Sequence, residues 1–184
     1  VAAHAQGMST TDVYMFPCPK CSASPQTQLS SMISGLKSAG CTFTRGSQGK
    51  SNFGKVWLDV ENPSYWGSQS SNQAFFKGLV HECESLGIDC GVYSSASQWV
   101  PLFGSSFTAG SSLPLWYAHY DNEQSFNDFS PFGGWSTPYM KQYNGDTTVC
   151  GFDVDLDWTP HTPGTNLTNS SSSSSSSAES SSVD

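Results

Sequence analysis

Val56-Trp57-Leu58-Asp59-Val60-Glu61 is an apolar run that ends in two carboxylates spaced i and i+2. As a β-strand it sends alternate side chains to opposite faces. Asp59 and Glu61 then point the same way, with Cα atoms about 6.5–7 Å apart, and Leu58 and Val60 face whatever covers the other side. Delivering two acids to one spot from a buried strand is costly. Desolvation and mutual repulsion raise the pKa of one acid, while polar contacts keep the other ionised. Cleavage of a glycosidic bond needs that division: a protonated acid for the leaving oxygen and a carboxylate for the charge developing at the anomeric carbon. A bare D-x-E is more often the solvated end of an ordinary strand. What surrounds it in this chain reverses that balance.

Before the run, Thr11 to Phe16 is a β-prone segment stopped by Pro17, and Gln26 to Ala39 has helical spacing at Leu29, Met32, Ile33 and Leu36, ended by Gly40. After it, Gln73 to Leu86 is helical with Gly87 as its stop, Ile88 to Tyr93 is a strand, and Gln98 to Phe103 is a short helix or turn. Leu113 to Tyr120, Tyr139 to Tyr143 and Val149 to Leu156 complete six strands. Helices alternating with strands over the first hundred residues imply βα units and a parallel sheet. The later strands leave little room for helices. The expected fold class is α/β, a distorted β/α barrel, with an open doubly wound sheet as the structural alternative. In parallel barrels the active site lies at the C-terminal strand ends. Those positions hold Tyr14 and Phe16, Asp59 and Glu61, Tyr93, Trp116 and Tyr117, Tyr143, and Asp155 and Asp157. An aromatic or an acid at every strand end suits a carbohydrate cleft.

Composition agrees. Charged residues make up 12% of the 184 and aromatics 13%, so neutral hydrogen-bonding groups and ring faces dominate the surface, as sugars require. A net charge of −8 argues against nucleic acid, which calls for clustered Lys and Arg. No apolar run approaches the roughly 20 residues of a membrane span. Six cysteines point to an oxidising compartment and a disulfide set rather than a zinc site, since Cys18-x-x-Cys21 has no second C-x-x-C and the four histidines are scattered. Short loops favour Cys18–Cys21 and Cys83–Cys90, which leaves Cys41–Cys150. Val1 to Gly7 reads as the end of a helix, as though the chain begins inside an element. Residues 1–160 form the expected catalytic domain. Residues 161–184 form a Ser-rich tail expected to be disordered, with glycosylation sequons at Asn166 and Asn169; a glycosylated spacer and an unconstrained low-complexity tail explain it equally well.

With these motifs on the page, the chain resembles the Chalaropsis-type lysozymes, glycoside hydrolase family 25, in their eukaryotic branch. The resemblance rests on Val13-Tyr-Met-Phe-Pro-Cys-Pro-Lys-Cys21, Val56 to Glu61, Gly91-Val-Tyr93, Leu115-Trp-Tyr-Ala-His-Tyr120, Lys141-Gln-Tyr143 and Val154-Asp-Leu156, and covers nearly everything from Val1 to Trp158. It implies a modified, flattened TIM-like β/α barrel that hydrolyses the β-1,4 bond between N-acetylmuramic acid and N-acetylglucosamine, with no metal or cofactor. Glu61 matches the general acid/base. Asp59 matches the partner that assists the substrate's own acetamido group, an exception to the two-carboxylate scheme, and Asp155 matches a supporting acid. Tyr14, Tyr93, Trp116, Tyr120 and Gln142 match positions lining the sugar cleft. Two departures stand out. Family members begin with a strand bearing another active-site aspartate, a helix and a second strand, so the barrel is expected to be incomplete at its N-terminus. Lys141 replaces the usual Trp before Gln-Tyr, which is expected to weaken one sugar-stacking surface.

The leading expectation is a monomeric antibacterial muramidase, secreted or in a lysosomal or phagosomal lumen, whose partners are peptidoglycan strands and neither nucleic acid nor membrane. Its acidic pI suggests digestion of bacteria at low pH. A non-catalytic peptidoglycan- or chitin-binding protein that keeps the cleft is the alternative. An N-acetylglucosaminidase or chitinase is a third, although chitin-cleaving families usually carry more aspartates ahead of the glutamate than Val56, Trp57 and Leu58 allow.

Overall fold

Four strands run parallel and are each followed by their sheet neighbour in the chain: β1 (Val13–Met15), β2 (Val56–Asp59), β3 (Cys90–Ser94) and β4 (Leu115–Ala118). A parallel β5 (Met140–Val149) and an antiparallel β6 (Phe152–Trp158) follow, so the sheet order is β1-β2-β3-β4-β5-β6 and the result is a half-barrel. The computed structural model describes residues 6–7, 11–43 and 53–161. The helix end expected before Gly7 and the Ser-rich tail with its sequons lie largely or wholly outside these residues. Because strand order never reverses, the winding is that of a barrel wall; a doubly wound sheet reverses at a switch point.

Three helices make the first crossovers: α1 (Pro25–Ser38), α2 (Gln69–Leu86) and α3 (Ala96–Phe103). Helix α1 starts where Ser24 Oγ accepts the Thr27 N–H at 3.1 Å and Pro25 supplies a pre-set φ. Helix α2 starts four residues before the expected Gln73. A polar run, Ser68 to Asn72, hides its first turn: Ser68 caps it, and the buried Asn72 amide donates to the Gly67 and Leu102 carbonyls. It ends at Gly87 in the left-handed conformation. At Gly78 the two long helices meet, since a Cβ there would lie 2.6 Å from Pro25 Cγ. The 119–139 connection contains no helix, as the shortening of the second half predicts.

Leu29, Ile33, Phe76, Leu79, Trp99 and Phe103 from the helices bury against Val56, Leu58, Val60, Val92 and Leu115, the outer face of the strands. Among the described residues, no helix is long and apolar enough to cross a membrane.

Two expectations fail on topology. Val149 to Leu156 is not one strand: Cys150 and Gly151, both at positive φ (52° and 82°), turn the chain into a hairpin between β5 and β6. Cys18–Cys21 and Cys83–Cys90 are bonded, but Cys41 and Cys150 are free thiols. Cys41 is buried just past α1, which crosses from β1 to β2, whereas Cys150 is exposed at the hairpin turn at the far end of the strand order. A disulfide needs Cα atoms within about 7 Å.

Lys141 also differs from expectation. It pairs with Tyr117 on the outer face and is fully buried, so it does not line the cleft or replace a stacking surface there. Its Nζ donates to Asp121 at 2.7 Å and Asp128 at 2.8 Å. Asp128 also accepts from Tyr117 Oη at 3.0 Å and lies 2.5 Å from His119 Nδ1. Partial burial opposes its charge, but these donors, Lys141 foremost, hold Asp128 down at about 2. The same ammonium bridges the two acids of a cluster formed by His119, Asp121 and Asp128, whose ligand atoms lie within 4.8 Å of one another.

Thiol titration of the unfolded, unreduced chain should count two free cysteines, and none would restore the Cys41–Cys150 pairing. Lys141→Ala should lower unfolding stability by about 3 kcal/mol, because it strands two carboxylates, and adding Asp121→Asn with Asp128→Asn should recover much of it.

Candidate active site

Alternation along β2 decides what faces the inside. With Val56, Leu58 and Val60 committed to the helices, Trp57, Asp59 and Glu61 take the other face. Trp57 is buried there although no helix covers it. Its indole lies across Gly91, where a Cβ would come within 2.3 Å of the ring. Its Nε1 donates to Asp12 Oδ2 at 2.9 Å, and Trp116 and Tyr139 flank it at centroid distances of 5.7 and 6.1 Å.

One register step further, Asp59, Tyr93 and Trp116 lie side by side across β2, β3 and β4. The pairing carries past the strand end, where the Val60 N–H donates to the Tyr93 carbonyl and Ser94 Oγ donates to the Val60 carbonyl. Glu61 is thereby set at the mouth of a cleft of about 230 Å³ that is lined also by Tyr93, Ser94, Ser95, Gln98, Ala118, His119 and Tyr120.

The acids differ in depth. Asp59 is 7% exposed, and its Oδ1 is buried with no hydrogen-bond partner among the described residues. Burial, ahead of the negative charge of Glu61, pushes Asp59 up to about 7. Burial raises Glu61 as well. Both acids are raised, and the large shift falls on Asp59, the one expected to serve as the carboxylate. Among the described residues no donor reaches Asp59 Oδ1, and this acid lies deeper than Glu61.

Gln142 is the hub of the opposite wall. Its Oε1 accepts from Tyr93 Oη at 2.6 Å and from Tyr120 Oη at 2.7 Å, and its Nε2 donates to Asp155 Oδ2 at 2.8 Å. Asp155 also accepts the Asp146 N–H at 3.1 Å. Burial, ahead of the neighbouring Tyr120 and acids, raises Tyr93 above its ordinary value, so its hydroxyl stays protonated and donating. Asp155 arrives on a strand running opposite to the one expected, entering the site from the hairpin.

The structure thus gathers Asp59, Glu61, Tyr93, Trp116, Tyr120, Gln142 and Asp155 on one face. Tyr14 shares the face but stands apart: it is 62% exposed and level with Trp57, one step below the acids. Three participants, Gln98, His119 and Tyr65, have no role in the sequence reading, and a fourth, Asp157, stands there only as a strand-end position. Gln98 holds the Asn62 N–H at 2.9 Å and lines the cleft. Asp157 accepts the Trp116 indole N–H at 2.7 Å, and desolvation, before the charge of Asp155, raises it. His119 lines the cleft and leans on Asp128. Tyr65 stands in the short 3-10 turn Pro63–Tyr65 just beyond Glu61. Asp157 is visible in the sequence by its parity with Asp155. His119 follows the end of β4, where alternation no longer tells which way a side chain points.

Comparison with known proteins gives the family. The chain matches the family described as Lysozyme-like protein 1 over residues 1–143. It is 49% identical over 154 residues to "Probable GH family 25 lysozyme 2" of Dictyostelium discoideum, covering 84% of this chain and 67% of that protein. It is 46% identical over 155 residues to "Probable GH family 25 lysozyme 4" of the same organism, with coverage of 84% and 67%. The chain therefore spans about two thirds of the length of these relatives. Among solved structures, the muramidase from Acremonium alcalophilum superposes with a TM-score of 0.61 at 18% identity, covering 88% of this chain and 74% of that one, a likeness of fold. On the family match and the identity to these relatives, the chain belongs to the glycoside hydrolase family 25 lysozymes.

Proposed function

We propose that this lysozyme hydrolyses the β-1,4 bond between N-acetylmuramic acid and N-acetylglucosamine in peptidoglycan, with Glu61 as acid/base and Asp59 as the partner of the substrate's acetamido group. One observation carries the reading: Glu61 in the cleft mouth beside a buried Asp59 whose Oδ1 lacks a donor. An acetamido N–H reaching Asp59 supplies that donor. A hydrogen bond to the charged form lowers a carboxyl pKa, so binding ionises Asp59 and leaves the shared proton on Glu61. Glu61 then protonates the glycosidic oxygen, and the acetamido oxygen attacks the anomeric carbon as that bond breaks. Ionised Asp59 stabilises the resulting oxazolinium. Water deprotonated by Glu61 opens the ring, with net retention of configuration.

The supporting wall has a role in this scheme. Asp155 orients the Gln142 amide, and Gln142 fixes the Tyr93 and Tyr120 hydroxyls, all on the acids' side of the sheet. Tyr93, Trp116 and Tyr120 offer ring faces and hydroxyls to the sugar, with Trp116 held by Asp157. A secreted or lysosomal location and a monomeric state complete the proposal.

Release of reducing ends from purified peptidoglycan tests it. In the full-length protein, Glu61→Gln should lower kcat by about 10²-fold or more while glycan binding persists; undiminished turnover would remove Glu61 from the mechanism. Activity should fall as pH rises through about 7, where Asp59 of the free enzyme loses the proton that binding would pass to Glu61. Asp59→Asn bears on stability with a defined sign. A carboxyl raised to about 7 in the fold from 3.8 keeps its proton in the native state while the unfolded chain sheds it, so stability drops as pH climbs between those values. Asp59→Asn should accordingly be more stable than the parent at pH 8, by up to about 4 kcal/mol and with a higher melting temperature, and show little gain at pH 4. Equal melting curves at both pH values would mean that Asp59 is not raised.

A further inference from the structure

Glu61 has a different surface on each side. Toward β3 and β4 lies the enclosed cleft with Tyr93, Ser95, His119 and Tyr120. Toward β1 two exposed aromatics meet edge to face: Phe16 (44% exposed) and Tyr65 (54% exposed), with ring centroids 5.6 Å apart and planes at 86°. Register continues from Met15 opposite Leu58, so the next residue, Phe16, falls at the level of Asp59, one step above Tyr14.

The pair is tied down from both sequence neighbourhoods. After Phe16, the Cys18–Cys21 disulfide closes a tight loop, and Gln28 brackets it by accepting the Cys18 N–H at 2.9 Å and donating to the Cys18 and Ala23 carbonyls. Lys20 Nζ crosses from that loop to the Ser64 carbonyl at 2.8 Å. On the other side, Asn62 takes a positive φ of 54° directly after Glu61, its N–H held by Gln98 and its Oδ1 accepting from Ser64 Oγ. Trp66 Nε1 donates to the Glu61 carbonyl at 2.9 Å. These bonds hold Tyr65 in fixed relation to the acid. Two rings left largely open to water, yet anchored by a disulfide and a chain of hydrogen bonds, form a rigid apolar surface beside the acid.

A glycosidase that cuts within a strand must hold sugars on both sides of the bond it breaks. We propose that Phe16 and Tyr65 form a second sugar-binding subsite, across Glu61 from the enclosed cleft, on which a pyranose ring of the same glycan strand stacks. The inference rests on the glycan substrate proposed above. It assigns Phe16 and Tyr65 to binding and leaves the chemistry to Asp59 and Glu61.

The test measures binding of solubilised, un-crosslinked peptidoglycan strands to full-length Glu61→Gln protein by calorimetry, together with KM and kcat of the parent. Adding Phe16→Ala or Tyr65→Ala should weaken binding about five- to tenfold each. In the active enzyme either change should raise KM by a similar factor with kcat nearly unchanged. Tyr65→Phe, which keeps the ring, should match the parent, and melting temperatures should hold because both rings are exposed. Unchanged affinity and KM in both alanine variants would overturn the subsite alone, and so would a loss that Tyr65→Phe shares or that follows a lowered melting temperature. No binding of strands by Glu61→Gln itself would overturn the glycan reading and the subsite with it.

Discussion

The placement of the site depends on the register of β2. Val56, Leu58 and Val60 are buried against the helices, and that burial is worth several kcal/mol at about 1.5–3 kcal/mol per side chain. A slip of one residue would expose all of them and bring the acids into the apolar layer. The helix face therefore holds Asp59 and Glu61 in position although it never touches the cleft. Gly91 and Trp57 set the same register from the inside, since the indole fits only over a strand position without a side chain.

The two faces handle charge in opposite ways. On the outer face the buried ammonium of Lys141 is matched by two carboxylates at hydrogen-bond distance, so the charges compensate one another. On the inner face two acids are set close together, and among the described residues the deeper one has an oxygen with no donor. Such a group is a cost to folding, and a ligand that brings a donor relieves it. The imbalance lies next to the cleft, while the balanced cluster lies behind it.

Much of this was legible in the chain. The D-x-E parity, the helical spacing of Leu29 and Ile33, the strand count and the βα alternation are local signals, and they hold in the fold. Other features were not legible, for physical reasons that can be named. Lys141 sits one residue from Gln142, and only the neighbouring strand shows that the two point to opposite faces. The polar opening turn of α2 gave no apolar period to read. Cys41 and Cys150 looked like a pair by elimination, but elimination carries no distance.

From sequence alone came the family resemblance, the α/β class, the acids' common face and the two short-loop disulfides, because each depends on neighbours a few residues apart. Only the tertiary structure decided that Asp59 is the more deeply buried acid, that Gln142 links two tyrosines to Asp155, that Lys141 belongs to an outer ion cluster, and that Phe16 meets Tyr65 beside Glu61. Those facts depend on depth and on partners between 13 and 49 positions away, and no pattern along the chain records how far a side chain lies from water.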